Sequence, residues 1–195
     1  MGGAVTFEEI HKALVEKFAE KVGPLMPAKK DAYCVVKADA IVEVCRFLKS
    51  ECAFDCLQNL SAVDGFKSAP MIKVVYHLYS YSKRHTFILK VELDRANPVI
   101  DSVEPVWKAA DWLEREQYDL LGVKFTGHPD LRRIMLPDDW VGHPLLKDYQ
   151  EPGSYHNISH TRESPLDGFV RMDELKKKIA AEKAATDAPK KELLQ

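Results

Sequence analysis

A few groups of side chains have the type and spacing for chemistry. His156 and His160 would place two imidazoles on one face of a helix, as some zinc sites require. They lie between Pro152-Gly153 and Pro165, in a Ser/Asn-rich stretch with little helical character. No Glu follows the first His to act as a general base, so a solvated loop is the better reading. Cys34, Cys45, Cys52 and Cys56 are the chain's 4 cysteines. Their spacing lacks the C-x2-C pairs of zinc and iron–sulfur sites, and buried thiols acting as small hydrophobes are expected. Glu114 and Glu116 flank Arg115. Two helical positions apart, they cannot converge on one substrate atom as an acid/base pair. They read instead as anchors for Arg or Lys, within the chain or across an interface. Asp111, Arg115 and Asp119 follow each other at helical spacing, so one guanidinium could bridge two carboxylates. His128-Pro129-Asp130-Leu131-Arg132-Arg133 is the most unusual stretch, because paired arginines present planar forks suited to carboxylates. No phosphate-binding glycine loop and no nucleophile elbow is found.

These residues need elements to hold them. Thr6-x-x-Glu9 is a capping box opening a first helix, with Phe7, Ile10, Leu14 and Phe18 at helical spacing and Gly23-Pro24 as its stop. Tyr33 to Val36 reads as a strand, and a second helix follows Asp39 with Ile41, Val44 and Leu48 inward. Phe54 to Leu60 reads as another strand, and Asp64-Gly65 as a turn. Met71 to Ser80 and His85 to Leu93 alternate apolar and polar residues, which predicts an antiparallel hairpin. His77, in the first of these, is expected to be an ordinary strand histidine. Val99 to Val103 makes a short strand, and a third helix is expected from near Glu104-Pro105 to Gly122.

From Phe125 to Leu166 prolines break up regular structure, yet apolar and aromatic residues persist, among them Leu131, Ile134, Met135, Trp140, Val141 and Leu145. Such a segment tends to lie against another surface, its own sheet or a partner protein. The expected organisation is an α+β domain over 1–124, with helices packed on a small mixed or antiparallel sheet. An extended, proline-rich interface segment over 125–168 and a charged, weakly helical or disordered tail over 169–195 follow. The chain has 195 residues, with 28 Lys+Arg against 30 Asp+Glu, a net charge of −2 that argues against nucleic acid as the main partner. No apolar run is long enough to span a bilayer, and the start lacks the pattern of a signal peptide. The residues by themselves therefore favour a cofactor-free, cytoplasmic binding or scaffold domain.

One resemblance sharpens this. Trp112-Leu113-Glu114-Arg115-Glu116-Gln117-Tyr118-Asp119-Leu120-Leu121-Gly122-Val123-Lys124-Phe125, then Gly127-His128-Pro129-Asp130-Leu131-Arg132-Arg133-Ile134-Met135, closely resembles a family signature. The family is that of the C-type (thirty-kilodalton type) subunit of proton-translocating NADH:quinone oxidoreductase, respiratory complex I. Leu136-Pro137-Asp138-Asp139-Trp140, Gly142-His143-Pro144-Leu145 and Lys147-Asp148-Tyr149 continue the likeness. Leu60 to Asp64 and Val75 to Leu78 extend it upstream, so that it covers roughly residues 30 to 150. The chain departs at Leu146, where the family commonly has Arg.

The resemblance implies a subunit that binds no flavin, iron–sulfur cluster or quinone itself, while FMN, iron–sulfur clusters, NADH and quinone (such as ubiquinone) are handled by other subunits. It implies a place in the peripheral arm, at the cytoplasmic face of the cell inner membrane, with no membrane span of its own. The implied partners are chiefly the D-type (forty-nine-kilodalton type) subunit that builds the quinone pocket, and also the B- and I-type iron–sulfur subunits. No catalytic, cofactor-binding or metal residues are implied. Glu114, Arg115, Glu116, Asp119, His128, Arg132 and Arg133 carry over as signature positions, implied to form salt bridges that fix the third helix and dock the extended segment. The rival readings are the equivalent subunit of a membrane-bound hydrogenase or of a quinone oxidoreductase not fed by NADH, and a freestanding enzyme or metal protein using His128, His143, His156 and His160.

Overall fold

The computed structural model describes residues 6–27, 32–66, 69–159, 172 and 174–180. The chain divides into two compact units, Met1–Gln150 and Glu151–Gln195.

The first unit is an α+β fold. Helix α1 (Phe7–Phe18) opens on its capping box: Glu9 N–H donates to the Thr6 hydroxyl, and Thr6 N–H donates to the Glu9 carboxylate at 2.9 Å. It buries Ile10 and Leu14. The helix stops at Ala19, before the glycine expected to end it. Gly23-Pro24 instead lies within an edge strand, β1 (Val22–Met26), where a missing N–H costs the sheet little. Strand β2 (Tyr33–Val36) and helix α2 (Ile41–Ser50) follow, and α2 buries Ile41, Val44, Cys45 and Leu48. Then come β3 (Cys56–Asp64), β4 (Met71–Ser80) and β5 (His85–Asp94).

The 5 strands run in the order β1-β2-β5-β4-β3. Only the β2–β5 pair is parallel within this sheet. The hairpin of β4 and β5 behaves as its alternation predicts: Ile72, Val74, Tyr76 and Leu78 are buried beside Phe87, Leu89, Val91 and Leu93. Cys34 and Cys45 join this core, and burial pushes the Cys34 thiol up to about 12, which keeps it protonated and inert.

A second layer holds the signature. Strand β6 (Val99–Asp101) pairs in parallel with β7 (Lys124–Thr126), a strand too short to leave a periodic signal. Between them lies helix α3 (Ala110–Leu121), which starts later than Glu104-Pro105. The reason is the pull of the core on Val106 and Trp107. Both backbone N–H groups fold back onto the Val103 carbonyl, and the Trp107 indole N–H donates to the Phe54 carbonyl at 3.1 Å. At its other end α3 closes on Gly122, which takes a left-handed conformation with φ 76°.

After β7 there is no helix or strand before residue 154. In the second unit β8 (Ser154–Tyr155) and β9 (Ile158–Ser159) form a small hairpin. His156 and Asn157 make its turn with positive φ, so His156 sits on no helical face, and His160 lies outside the described residues. Residues 174–180 are helical with Leu175, Ile179 and Ala180 exposed, and apart from Met172 the rest of the expected tail lies outside the described residues.

Gly122 supplies the first prediction. A Cβ there would stand 2.8 Å from the His143 ring, on a backbone with φ 76°. Gly122→Ala should destabilise the chain by about 1–3 kcal/mol, read as a lowered thermal midpoint. An unchanged midpoint would mean that His143 is not seated on the end of α3.

Candidate functional site

Helix α3 has three faces, and each does something different. Ala110, Glu114, Gln117 and Leu121 turn inward. The Gln117 side-chain oxygen accepts the Ala62 N–H at 2.9 Å, so the helix takes up a donor of the edge strand β3. Glu114 is fully buried. It accepts the Ser102 hydroxyl at 2.6 Å and the Val103 N–H at 2.8 Å, tying α3 to the turn that follows β6. The expectation of a Glu114–Arg or Glu114–Lys pair is therefore wrong: its carboxyl is held by a hydroxyl and an amide. Burial pushes its pKa up to about 7 against those two donors, and Glu104 and Asp111 add to the rise.

The second face carries Asp111, Arg115 and Asp119, and residues 128–136 lie over it. The bridge of Arg115 to both carboxylates does not form. Arg115 instead donates from Nε to the Arg132 carbonyl at 3.3 Å and lies 5.0 Å from the centre of the Trp112 ring. The Asp119 carboxylate is drawn to the covering segment, which offers it backbone donors that the helix cannot, while Asp111 Oδ1 is buried without a hydrogen bond, 3.4 Å from the His128 ring. His128 is covered completely, accepts the Asp130 N–H on Nδ1 and so points a protonated Nε2 at the Asp111 carbonyl, 3.2 Å away. Its Nε2 stands 4.0 Å from Glu114.

Asp119 is the centre of the arrangement. Its buried Oδ2 accepts three consecutive backbone N–H groups, from Ile134, Met135 and Leu136, at 3.1, 2.7 and 2.9 Å. Its Oδ1 takes Arg133 at 2.8 Å, and Arg133 also donates to the Gly142 carbonyl. Burial opposes ionisation, but the three amides and the guanidinium outweigh it and hold the carboxyl below its ordinary range. The same turn of α3 gives its carbonyls to the segment's return path: His143 donates to the Asp119 carbonyl at 2.8 Å and Leu145 N–H to that of Leu120.

A second buried carboxylate fixes the far end. Asp64 receives both a fork from Arg95, at 2.8 and 3.0 Å, and the backbone N–H of Lys147 at 3.0 Å. Arg95 reaches on to Asp148. The Arg95 fork leads the causes that pull Asp64 down to about 2. Sequence reasoning saw Asp64 as turn chemistry and did not see Arg95, because nothing local links either to Lys147. Leu146, the departure from the resemblance, packs against the hydrophobic core.

The seven signature residues thus part company. Glu114, Asp119, His128 and Arg133 work inside the chain, Arg115 props the segment from below, Arg132 points outward beside Asp130, and Glu116 has no ion-pair or hydrogen-bond partner among the described residues. Among the described residues no three His, Cys, Asp or Glu gather as a metal site would require.

Residues 34–155, which take in both carboxylate anchors and the whole signature, match the model of the respiratory-chain NADH dehydrogenase 30-kDa subunit family. The chain belongs to that family. The C-type subunit of NADH-quinone oxidoreductase from Geobacter metallireducens is 46% identical over 151 residues, covering 74% of this chain and 93% of the relative. Its counterpart of the same name from Moorella thermoacetica is 47% identical over 116 residues, covering 60% and 78%. Among solved structures, the trypsin-resistant fragment (1-134) of Nqo5 aligns with a TM-score of 0.56 at 27% identity, covering 63% of this chain and 98% of that one. A chain of the membrane-bound sulfane sulfur reductase, an archaeal respiratory membrane complex, aligns with a TM-score of 0.65 at 25% identity, covering 81% and 96%.

Two predictions concern the anchors. Asp119→Ala strands three amides and a guanidinium and should cost about 3–5 kcal/mol, measured by urea unfolding. A loss near zero would show that the segment is not held there. The pH profile carries opposite signs from the two inward carboxyls. Glu114 has a raised pKa, so its share of stability is complete below 4.5 and is lost as pH rises through about 7. Asp64 has a depressed pKa, so its share is present above 3.8 and is lost as pH falls through about 2. Glu114→Gln should therefore flatten the decline of stability between roughly pH 5 and 8. A profile unchanged by that substitution would contradict the buried, raised Glu114.

Proposed function

We propose that this chain is a peripheral-arm subunit of a proton-translocating NADH:quinone oxidoreductase, complex I of the respiratory chain. Its role in electron transport is to support the subunit that builds the quinone site. It binds no cofactor in this reading; FMN, the iron–sulfur clusters, NADH and quinone belong to its neighbours. Its principal partner is the D-type, forty-nine-kilodalton type, subunit, with the B- and I-type iron–sulfur subunits nearby. It sits on the cytoplasmic face of the inner membrane by way of the complex. Among the described residues no helix is long and apolar enough to cross a membrane, which fits a peripheral place.

One observation carries this reading. The path from 127 to 150 has no regular structure, yet two buried carboxylates set its course while Met135, Val141 and Leu145 face solvent, at 62%, 79% and 57% exposure. Ordering a chain in this way is costly in conformational entropy, and apolar side chains held outward are what a docking surface presents.

The likeness to a chain of the sulfane sulfur reductase favours a second reading, the same module in a complex with another electron donor. The sequence relatives, whose names place them in NADH-quinone oxidoreductase, favour the first. NADH-driven quinone reduction by the purified complex decides between them; a complex that reduces quinone only with another donor would support the second.

The paired arginines test the docking role. Arg132 is 71% exposed and Arg133 16%. Arg132→Glu should weaken co-purification of the D-type subunit while leaving the isolated chain's unfolding midpoint unchanged. Arg133→Glu, which places a second carboxylate against Asp119, should lower both. Normal assembly with Arg132 reversed would remove this stretch from the interface.

A further inference from the structure

The third face of α3 remains open. Trp112, Glu116 and Leu120 stand one turn apart along it, and among the described residues their side chains make no hydrogen bond or ion pair to the sheet or the segment. Trp112 is 64% exposed, large for an indole, while Glu116 and Leu120 are half-buried. Every other charged residue of the helix has work inside the chain: Asp111 beside His128, Glu114 on Ser102 and Val103, Arg115 on the Arg132 carbonyl, Asp119 on the segment. Glu116 makes no ion pair or hydrogen bond among the described residues. The nearest basic side chain in sequence, Arg115, donates to the Arg132 carbonyl and already places its guanidinium 5.0 Å from the centre of the Trp112 ring, which leaves the exposed part of the indole for another cation.

We propose that this face receives an arginine from a neighbouring subunit of the complex, its guanidinium on the Glu116 carboxylate and against the Trp112 indole, its stem along Leu120. The proposal rests on the subunit role argued above and adds the chemistry of one contact to it. A half-buried carboxylate with no partner calls for a cation, and an adjacent exposed indole selects which one. A guanidinium is planar, can form two parallel hydrogen bonds to a carboxylate and is weakly enough hydrated to lie against an aromatic face. An ammonium can do the first only as a point charge. A purely apolar occupant would leave Glu116 buried and unpaired, which is the costly outcome. A second copy of this chain is disfavoured because its own face would bring Glu116 against a like charge.

The test uses the assembled complex, purified through a tag on a different subunit. A photo-crosslinking residue at position 112 should join the chain to a partner peptide that contains arginine. In the same complex Glu116→Lys should reduce retention of the chain at raised salt by about tenfold. Glu116→Gln should have a smaller effect. Reversing the cross-linked arginine to Glu should restore the Glu116→Lys complex. The isolated chain should melt at the same temperature in all forms, because Glu116 holds nothing within it. A cross-link to a second copy of the chain, to a peptide without arginine, or to nothing overturns the proposal, as does full retention of Glu116→Lys. Those results leave the subunit role standing if the wild-type chain co-purifies. A wild-type chain that co-purifies with no other subunit overturns both.

Discussion

A single buried carboxylate, Asp119, sets the shape of everything that follows α3. Three successive amides turned toward one oxygen are unusual because the backbone must curl to aim them together, and a buried anion is what makes that worth its entropy. Arg133 closes the other oxygen and reaches Gly142, so the same cation that neutralises the anchor also fixes the next bend. Asp64, with Arg95 and the Lys147 amide, repeats the device on the side of the sheet. Between these two points the chain needs no helix or strand of its own to have a defined course.

The order in which α3 distributes its side chains lets one short helix serve the fold and the interface proposed for it together. Its inward face joins the sheet through Gln117 and the turn after β6 through Glu114, its second face carries the segment, and its third is the face we propose for a partner. Charge separates these tasks. Glu114 lies where ionisation is penalised and is held by neutral donors, whereas Asp119 lies where donors outweigh burial and keep it charged. Two carboxylates five positions apart on one helix thus end with opposite protonation preferences.

Much of this was legible in the residues. The capping box at Thr6 and Glu9, the alternation of Met71 to Ser80 and His85 to Leu93, and the apolar stripe of α2 are local patterns with local causes. The family resemblance located the signature. What escaped the sequence was set at long range. β1 hides in Gly23-Pro24 because its strand character depends on β2 beside it, and β7 exists because β6 lies parallel to it. The late start of α3 follows from Trp107 reaching Phe54 across the fold. Asp111, Arg115 and Asp119 have the spacing of a helical ion-pair ladder, but helical spacing says nothing about a covering segment that offers better donors. Arg95 carries no motif at all.

Amide hydrogen exchange at Ile134, Met135 and Leu136 addresses the anchor most directly. The account predicts that these three amides, in a stretch without helix or strand, are protected in the native chain. It predicts that Asp119→Ala releases them while the amides of β4 and β5 stay slow. Rapid exchange of the three in the unaltered protein, or protection that survives loss of the carboxylate, would contradict it.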